Sequence, residues 1–332
     1  MQEEKVRIGL VGVGWFGGTR VASARKSGAA EFVSCFDLNP ERRDAFAADH
    51  GCRAAESLAA MLDDPEMEAI LIATPHSTHL GLVEEAASAG KHVFVEKPLA
   101  LSVADAQRAA DVTEKAKVVL QVGHNRRRQP ANRRIKAMLD GGELGTLLQL
   151  DGVHMSPGAG KPGVAAWRLD PAECPAGGMT ALAIHTVDTF HYLAGPAKRL
   201  VAFSKQVVGS TKLDEATSVL IEYERGPVGA ITTSYFAQTV VSLSVYGTEG
   251  NAWNEEDGVR LFVQRAGDAT RNPLDVATLD TVADELEEFA RCVRGGMKPE
   301  TGAPEALEVA AVLEAIIESA ASGRAVELVD VR

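Results

Sequence analysis

Short apolar runs alternate with amphipathic stretches through the first third of the chain. Residues 6–11, 68–74 and 92–95 are apolar and partly β-branched, which predicts buried strands. Residues 16–27 and 102–117 are predicted helices. Strands and helices in this alternation indicate an α/β fold with a doubly wound parallel sheet.

After about residue 124 the pattern changes to strands in which apolar and polar residues alternate. Residues 217–223 and 228–236 flank the turn 224–227, which predicts an antiparallel hairpin. We therefore expect two domains, residues 1–123 with the parallel sheet and residues 124–332 with helices and an open, largely antiparallel sheet. The other elements predicted for the second domain are helices over 130–139, 282–294 and 304–322 and a strand over 241–246.

A Gly-x-Gly-x-x-Gly turn follows the first predicted strand, and Asp37 closes the second. Gly12 permits the tight turn, Gly14 lets the backbone approach a pyrophosphate, and Gly17 lets the next helix pack on the strand. Together with Asp37, which suits a ribose 2′-hydroxyl, the motif predicts a Rossmann domain that binds NAD. Two arginines in the next helix, Arg42 and Arg43, keep NADP open as an alternative cofactor.

Ligands of doubly wound sheets bind beyond the carboxyl ends of the strands. The predicted strand ends therefore give the cofactor-binding candidates, which are Gly12, Gly14, Trp15, Phe16, Gly17, Asp37, Leu38, Thr74, Pro75, His76, His79, Glu96, Lys97 and Asn125.

Composition narrows the class of partner. The 332-residue chain has 34 basic and 46 acidic residues, a net charge of −12, which opposes nucleic acid and anionic membranes as partners and favours a small molecule. The four cysteines are scattered without a Cys-x-x-Cys motif, so we expect reduced thiols and no metal site. Without a signal peptide pattern or an apolar run of about 18 residues, we expect a cytoplasmic protein.

Lys97 follows the strand over 92–95 in the sequence Glu96-Lys97-Pro98. Its ammonium group would enter the crevice beside the nicotinamide and stabilise the oxyanion that develops as a carbinol hydrogen leaves as hydride. With this motif the chain resembles the glucose-fructose oxidoreductase, inositol dehydrogenase and rhizopine catabolism (Gfo/Idh/MocA) family over nearly its whole length. The resemblance implies a cis bond between Lys97 and Pro98.

Further segments carry the same resemblance. They are the glycine turn, residues 73–79 with His76 where the family usually has Asn, residues 123–127, and Gly177-Gly178 leading to His185 and Asp188. The resemblance implies that Lys97 and His185 are the catalytic residues, with His185 as general acid or base, a role that suits an imidazole because it titrates near neutral pH.

The chain departs from the family at one point in this segment. The family commonly has an aspartate four residues before the histidine, on the same helix face, and this chain has Ala181 there. Asp188, three residues after His185, is a candidate substitute, although the family's aspartate at this place is often structural. Water or the substrate are the other candidates for relaying the proton.

The candidates for binding substrate are Lys97, Arg126, His154, Trp167, Arg168, His185 and Tyr235. Arg126 opens a basic run over 126–128 and would suit an anionic group. The glycine- and proline-rich loop over 156–163 is a candidate wall or lid of the site.

These residues predict an NAD(P)-dependent dehydrogenase that acts on a secondary alcohol of a sugar, polyol or related ring. One alternative is a dehydrogenase of an aromatic dihydrodiol or of the hemiacetal of a ring-cleavage product, with a carboxylate held near Arg126. A second alternative is a non-catalytic NAD(P)-binding sensor. The apolar strands over 230–235 and 242–246 predict a homo-oligomer, and the resemblance implies a dimer or tetramer that packs sheet to sheet.

Overall fold

The computed structural model describes residues 5–161, 163–209 and 211–332. Its α-helices are α1 (Trp15–Ser27), α2 (Pro40–His50), α3 (Leu58–Leu62), α4 (His79–Ser88), α5 (Val103–Ala116), α6 (Pro130–Asp140), α7 (Ile184–Ala194), α8 (Thr281–Gly295) and α9 (Ala303–Ser322). Its strands are β1 (Val6–Val11), β2 (Ala30–Phe36), β3 (Arg53–Ala54), β4 (Ala69–Ile72), β5 (His92–Val95), β6 (Leu120–Val122), β7 (Leu147–Met155), β8 (Ala197–Lys205), β9 (Ala216–Tyr223), β10 (Val228–Ser234), β11 (Val240–Gly247), β12 (Gly250–Glu255), β13 (Arg260–Arg265), β14 (Asn272–Leu274) and β15 (Val326–Glu327).

The chain divides into two compact units. The first unit comprises Met1–His124 and Asp280–Ala306, and the second comprises Asn125–Leu279 and Leu307–Arg332. Each unit contains one sheet, so the predicted fold class, a Rossmann sheet followed by an open and largely antiparallel sheet, is confirmed.

The sheet of the first unit is parallel, with the strand order β3-β2-β1-β4-β5-β6. The order reverses between β1 and β4, where the chain crosses from one half of the sheet to the other. In sheets of this kind the ligand binds at the reversal, outside the carboxyl ends of the strands. The apolar residues of the central strands β1, β4 and β5 are all buried, and only Arg7 and His92 in these strands are partly exposed.

Helix α8 belongs to the first unit, and this corrects the sequence analysis, which assigns it to the second domain. Its residues Leu286 and Phe289 are buried in the same core as Ile8 of β1, and the rings of Phe289 and Phe94 lie 5.6 Å apart in an edge-to-face contact. Helical periodicity in the sequence shows that α8 has an apolar face. It does not show which sheet that face covers, because the choice depends on contacts far along the chain.

The sheet of the second unit has the order β14-β13-β12-β11-β7-β10-β9-β8-β15. Strands β9 and β10 form the predicted hairpin, with Val228 opposite Glu222. Strand β11 pairs with β7 and not with β10, and β7 runs parallel to β10. The sheet is therefore mixed, with one parallel pair among the antiparallel pairs of the described strands.

Two segments of the second unit lack regular α or β structure over part of their length. Met179–Ala183 forms a π-helix that leads directly into α7. In the predicted loop over 156–163, Gly158–Gly160 forms a 3₁₀ turn, and Pro162 lies outside the described residues. π-Helical turns are rare and often mark functional sites.

The four cysteines, Cys35, Cys52, Cys174 and Cys292, form no disulfide in the structure. Within the described ranges, no group of His, Cys, Asp and Glu side chains is arranged to hold a metal ion. None of the helices described is both long enough and apolar enough to cross a membrane.

Candidate active site

The glycine turn after β1 has the backbone that its three glycines predict. Gly12 has φ +92°, and a Cβ atom there would lie 2.5 Å from the carbonyl oxygen of Ala73. A Cβ at Gly17 would lie 2.7 Å from the carbonyl oxygen of Gly12, so this glycine permits the close approach of α1. A Cβ at Gly14 would meet no atom within 4 Å, so space is open above the N-terminus of α1. This open turn, with α1 amides at its edge, fits a pyrophosphate group.

Asp37 braces the glycine turn. Its Oδ2 accepts a hydrogen bond from the Val13 amide at 3.1 Å, and its Oδ1 accepts one from the Asn39 amide at 2.9 Å. Two large apolar side chains beside this carboxylate are exposed, Trp15 by 83% and Leu38 by 92%. Exposed apolar residues grouped at a strand end are typical of a ligand-binding surface, and here they fit the adenosine half of a dinucleotide.

The loops after β4 and β5 are joined by His79. Its buried ring places Nδ1 at 2.9 Å from the carbonyl oxygen of Pro98 and Nε2 at 3.2 Å from that of Thr74. The ring of His76 contacts it edge to face, with centroids 5.8 Å apart. His76 and His79 are both buried, so the two rings support the loops after β4 and β5.

Glu96 and Lys97 follow β5, and the bond between Lys97 and Pro98 is cis, which confirms that expectation. The Glu96 carboxylate lies 2.7 Å from the guanidinium of Arg20, and Arg20 also donates to Glu285 of α8 at 2.7 Å. Arg20 is fully buried, so this ion pair network is shielded from water. It anchors the end of β5, and the next residue, Lys97, is half-buried.

A pocket in the second unit brings together three of the predicted substrate residues, Arg126, His154 and His185. The sequence analysis missed several polar residues that also line it, namely Gln129, Asn132, Thr186, Thr189, Ser242, Asn254 and Asp257. They come from four different elements and from a turn, so no local motif in the sequence marks them. Asn125, predicted to bind cofactor, begins the 3₁₀ turn Asn125–Arg128 that leads to this pocket.

Arg126 and Arg127 are matched by carboxylates within the unit. Arg126 Nη1 donates to Asp257 Oδ1. Arg127 binds Asp188 through two hydrogen bonds, Nε to Oδ2 at 2.9 Å and Nη2 to Oδ1 at 2.5 Å, and both side chains are buried. A buried bidentate pair indicates a structural role for Asp188, because removing one partner would leave the other charge unpaired.

Ala181 and Tyr235 lie in one apolar cluster. This cluster of buried residues contains Ala159, Cys174, Ala181, Leu213 and Tyr235, with Trp167, Leu169, Leu182 and Phe236 packed against it. The guanidinium of Arg168 lies 4.4 Å from the Trp167 ring centroid. Burial raises the pKa of the Tyr235 hydroxyl, and the nearby Arg168 partly offsets that rise. Two predicted substrate residues, Trp167 and Tyr235, thus belong to this cluster, and Arg168 lies against it. The lining of the pocket contains the other three, Arg126, His154 and His185.

The segment before α7 is a π-helix over Met179–Ala183, and its backbone bonds span five residues. Ala181, in this segment, belongs to the apolar cluster, whereas His185 lines the pocket. No carboxylate stands at position 181.

Two models of known protein families match this chain. Residues 6–124 match an oxidoreductase family with an NAD-binding Rossmann fold, GFO_IDH_MocA, and residues 132–253 match the GFO/IDH/MocA C-terminal domain. The chain belongs to the Gfo/Idh/MocA oxidoreductase family. Its predicted nature as an NAD-binding Rossmann oxidoreductase is thereby confirmed.

Relatives in the Gfo/Idh/MocA family cover most of the chain. D-apiose dehydrogenase of Paraburkholderia graminis is 30% identical over 96% of this chain and 88% of its own length. The scyllo-inositol 2-dehydrogenase (NAD(+)) of Bacillus subtilis is 28% identical over 90% of this chain and 89% of its own. The structure of a levoglucosan dehydrogenase in complex with NADH and L-sorbose has the same fold, with a TM-score of 0.91, 23% identity, and coverage of 98% of this chain and 99% of that one.

Proposed function

We propose that this protein oxidises a secondary hydroxyl group of a neutral sugar or polyol, with NAD as the cofactor. The observation that carries the proposal is the lining of the pocket around His185, where amide and hydroxyl side chains predominate and the cation Arg126 is matched by Asp257. Such a lining suits a polyhydroxylated, uncharged molecule. The relatives named for apiose and scyllo-inositol support the same class of substrate.

Each catalytic candidate has a distinct task in this proposal. Lys97 hydrogen-bonds the substrate oxygen and stabilises its developing negative charge. His185 takes the proton of the same hydroxyl group as general base, and returns it as general acid in the reverse direction. NAD, when bound, accepts the hydride, and the glycine turn with Asp37 would hold it. In this scheme the first unit binds the cofactor and the second unit supplies the substrate pocket.

Two alternatives fit less well. The carboxylate of an aromatic ring-cleavage product would need a cation that no protein carboxylate already neutralises, and Arg126 already binds Asp257. A non-catalytic sensor needs neither Lys97 nor His185, and both residues are present. His154 and His185 stay in the proposed substrate site, whereas Trp167, Arg168 and Tyr235 are proposed to form a wall beside it.

A substrate panel tests the proposed function. NADH formation would be followed with inositols, aldoses, levoglucosan, sugar acids and aromatic dihydrodiols. We expect turnover of neutral sugars or polyols, and a kcat/KM for the corresponding sugar acids that is lower by about tenfold or more, because Asp257 offsets the charge of Arg126. Turnover confined to carboxylate or dihydrodiol substrates would favour the aromatic alternative. NADH binding without turnover of any class would favour the sensor.

Cofactor choice should depend on Asp37. We expect the protein to use NAD at least about tenfold better than NADP in kcat/KM, because the Asp37 carboxylate would repel a 2′-phosphate and accept a hydrogen bond from a 2′-hydroxyl. In Asp37→Ala the preference should shrink towards unity, measured as the ratio of kcat/KM for the two cofactors.

Arg42 provides the control for this experiment. Arg43 is engaged by Asp44 at 2.7 Å and by the carbonyl oxygen of Ala55 at 3.2 Å, whereas Arg42 is exposed. Any residual use of NADP should therefore fall in Arg42→Ala. If the wild-type protein used both cofactors equally well, Asp37 would not be the discriminating residue.

We also propose that the chain forms a homo-oligomer through the outward face of its second-unit sheet. Leu220, Phe203 and Val228 are 62%, 63% and 49% exposed there, with Val201 and Ala230 between them. Within residues 242–246, Leu243 and Val245 are buried on the inner face, and Tyr246 is half-buried on the outward face, against the ring of Trp253. The most exposed apolar residues of the outward face lie on β8, β9 and β10.

Light scattering at micromolar protein checks this proposal. We expect a dimer or tetramer of the 35.1 kDa chain, and a shift towards the monomer in Leu220→Asp, since a charge buried in a contact is costly. Ser218→Asp, on the same strand and at an exposed polar position, is a milder control. A wild-type monomer would overturn the proposal.

A further inference from the structure

The amide side chains of Gln129, Asn132 and Asn254 form a hydrogen-bond network in the pocket of the second unit. The network determines which end of each amide donates and which accepts. It begins at Asp257, which lies in the turn between β12 and β13. Gln129 Nε2 donates to the Asp257 carbonyl oxygen at 3.0 Å and to its Oδ1 at 2.7 Å. A carbonyl oxygen and a carboxylate oxygen can only accept, so the amide group of Gln129 is oriented with its nitrogen towards Asp257.

The orientation of Gln129 determines that of the other two amides. Its Oε1 accepts from Asn132 Nδ2 and from Asn254 Nδ2, both at 3.2 Å. Asn132 Nδ2 also donates to the carbonyl oxygen of Arg126 at 2.8 Å, which leaves Asn132 Oδ1 to accept from Asn254 Nδ2 at 2.8 Å. Both hydrogens of Asn254 Nδ2 are thus used, and its nitrogen and oxygen cannot be exchanged without breaking the network.

The end of this network is the Oδ1 atom of Asn254. Asn254 is 4% exposed and lines the pocket together with His185 and Thr186, and no described residue donates a hydrogen bond to this Oδ1 atom. A buried acceptor without a donor is costly, and buried polar groups in folded proteins nearly always have a partner. The network therefore presents a hydrogen-bond acceptor whose partner comes from outside the described chain.

The backbone conformation around Asp257 also indicates a functional site. Glu256 and Asp257 have φ values of +53° and +57°, and Gly258 has +93°. A side chain at Gly258 would bring its Cβ to 2.9 Å from Gln129 Cδ, so the turn packs directly against the network. Left-handed backbone at residues other than glycine is held only where the surroundings enforce it, and such residues cluster at functional sites.

We propose that Asn254 determines substrate specificity by accepting a hydrogen bond from a second hydroxyl group of the substrate, distinct from the one that is oxidised. The inference rests on the proposed function, because it takes the pocket with His185 as the substrate site. An acceptor at this point selects a hydroxyl donor, and it disfavours an ether oxygen or a carboxylate. The substrate is accordingly a molecule with at least two free hydroxyl groups.

The test compares parent polyols with their monodeoxy derivatives. Levoglucosan and scyllo-inositol serve as probes, and kcat/KM is measured for each parent and for each of its monodeoxy forms. In the wild-type protein, one deoxy position that is not the oxidised one should lower kcat/KM by about 10- to 100-fold, because Asn254 Oδ1 then stays unpaired. In Asn254→Leu, the parent and that deoxy derivative should be equal within about threefold, since neither can bind to the missing oxygen.

A matched variant separates substrate contact from support of the fold. Gln129→Leu breaks the network and keeps the Asn254 oxygen, so it should lower activity on all probes and keep most of the discrimination. If Asn254→Leu lowers kcat/KM for parent and deoxy substrates in equal proportion, Asn254 is a structural residue whose Oδ1 accepts a hydrogen bond from a buried water. The proposal then fails. Asn254→Ala, which also lacks the accepting oxygen, replaces Asn254→Leu in the same comparison if the leucine variant does not fold, as judged by its thermal melt.

The outcomes distinguish this inference from the proposed function. If the wild-type protein turns over a polyol, and no deoxy change away from the oxidised position lowers kcat/KM, the role of Asn254 is overturned and the proposed function stands. No turnover of any polyol by the wild-type protein, and no rise of its Tm with levoglucosan or scyllo-inositol in the presence of NADH, overturns both.

Discussion

Replacing Lys97 with methionine should lower kcat by about 10²- to 10³-fold, because the ammonium group acts on the oxyanion that exists mainly in the transition state. The dissociation constant of NADH should change little, by about threefold or less, since methionine keeps most of the side chain's volume and the glycine turn is untouched. Steady-state kinetics and NADH fluorescence titration measure the two quantities separately. Glu96 stays anchored by Arg20 in the variant, so the end of β5 should keep its backbone.

Lys91 offers a matched control for Lys97→Met. It is also in the first unit, but it is buried and donates to the carbonyl oxygens of Asp64 and Met67, both at 2.7 Å. Lys91→Met should lower the Tm and leave kcat within a few-fold. A kcat for Lys97→Met that also stays within a few-fold of wild type would assign the stabilisation of the oxyanion to another group.

His185→Ala should lower kcat by about 10²- to 10⁴-fold, the usual contribution of a general base. In the wild-type protein the rate of alcohol oxidation should rise with pH near neutrality, because a general base must lose its proton before it can accept one. In the variant this rise near neutral pH should disappear. The measurement is the pH profile of kcat/KM for both proteins.

His191 is the control on the same helix. It lies on α7, and it is not among the residues that line the pocket. His191→Ala should keep both the rate and the shape of the profile. An unchanged pH profile in His185→Ala would place the base elsewhere, with His154 as the next candidate in the pocket.

The sequence predicts those features that depend on neighbouring residues. The roles of Gly12 and Gly17 follow from a turn of a few residues, and the hairpin of β9 and β10 follows from the turn between them. The ion-pair partners of the charged side chains cannot be predicted from neighbouring residues. Arg20 meets Glu285 across 265 positions of the chain, and Arg126 meets Asp257 across 131. Such pairs depend on the completed fold, so the basic run at Arg126 suggests an anion site that Asp257 largely cancels.

The π-helix shows a different limit. Apolar periodicity predicts a helix around His185 but does not distinguish four-residue from five-residue backbone bonds. The sequence therefore does not show that Ala181 belongs to the apolar cluster while His185 lines the pocket. Asn254 carries no signal in the sequence, since a single asparagine in a strand becomes meaningful only when Gln129 and Asn132 are seen to orient it.

The first unit is built from two segments separated by residues 125–279, nearly half of the chain, and this has a consequence for how the protein is made. Helix α8 supplies Leu286 and Phe289 to the core around β1 and supplies Glu285 to the buried Arg20. During synthesis the parallel sheet cannot complete its core until the segment up to Ala306 has left the ribosome. Until then Arg20 also lacks its ion pair with Glu285. For the same reason, the dinucleotide-binding unit cannot be transplanted into another protein as a single N-terminal cassette. A chimera that keeps its stability must carry both segments from the same parent.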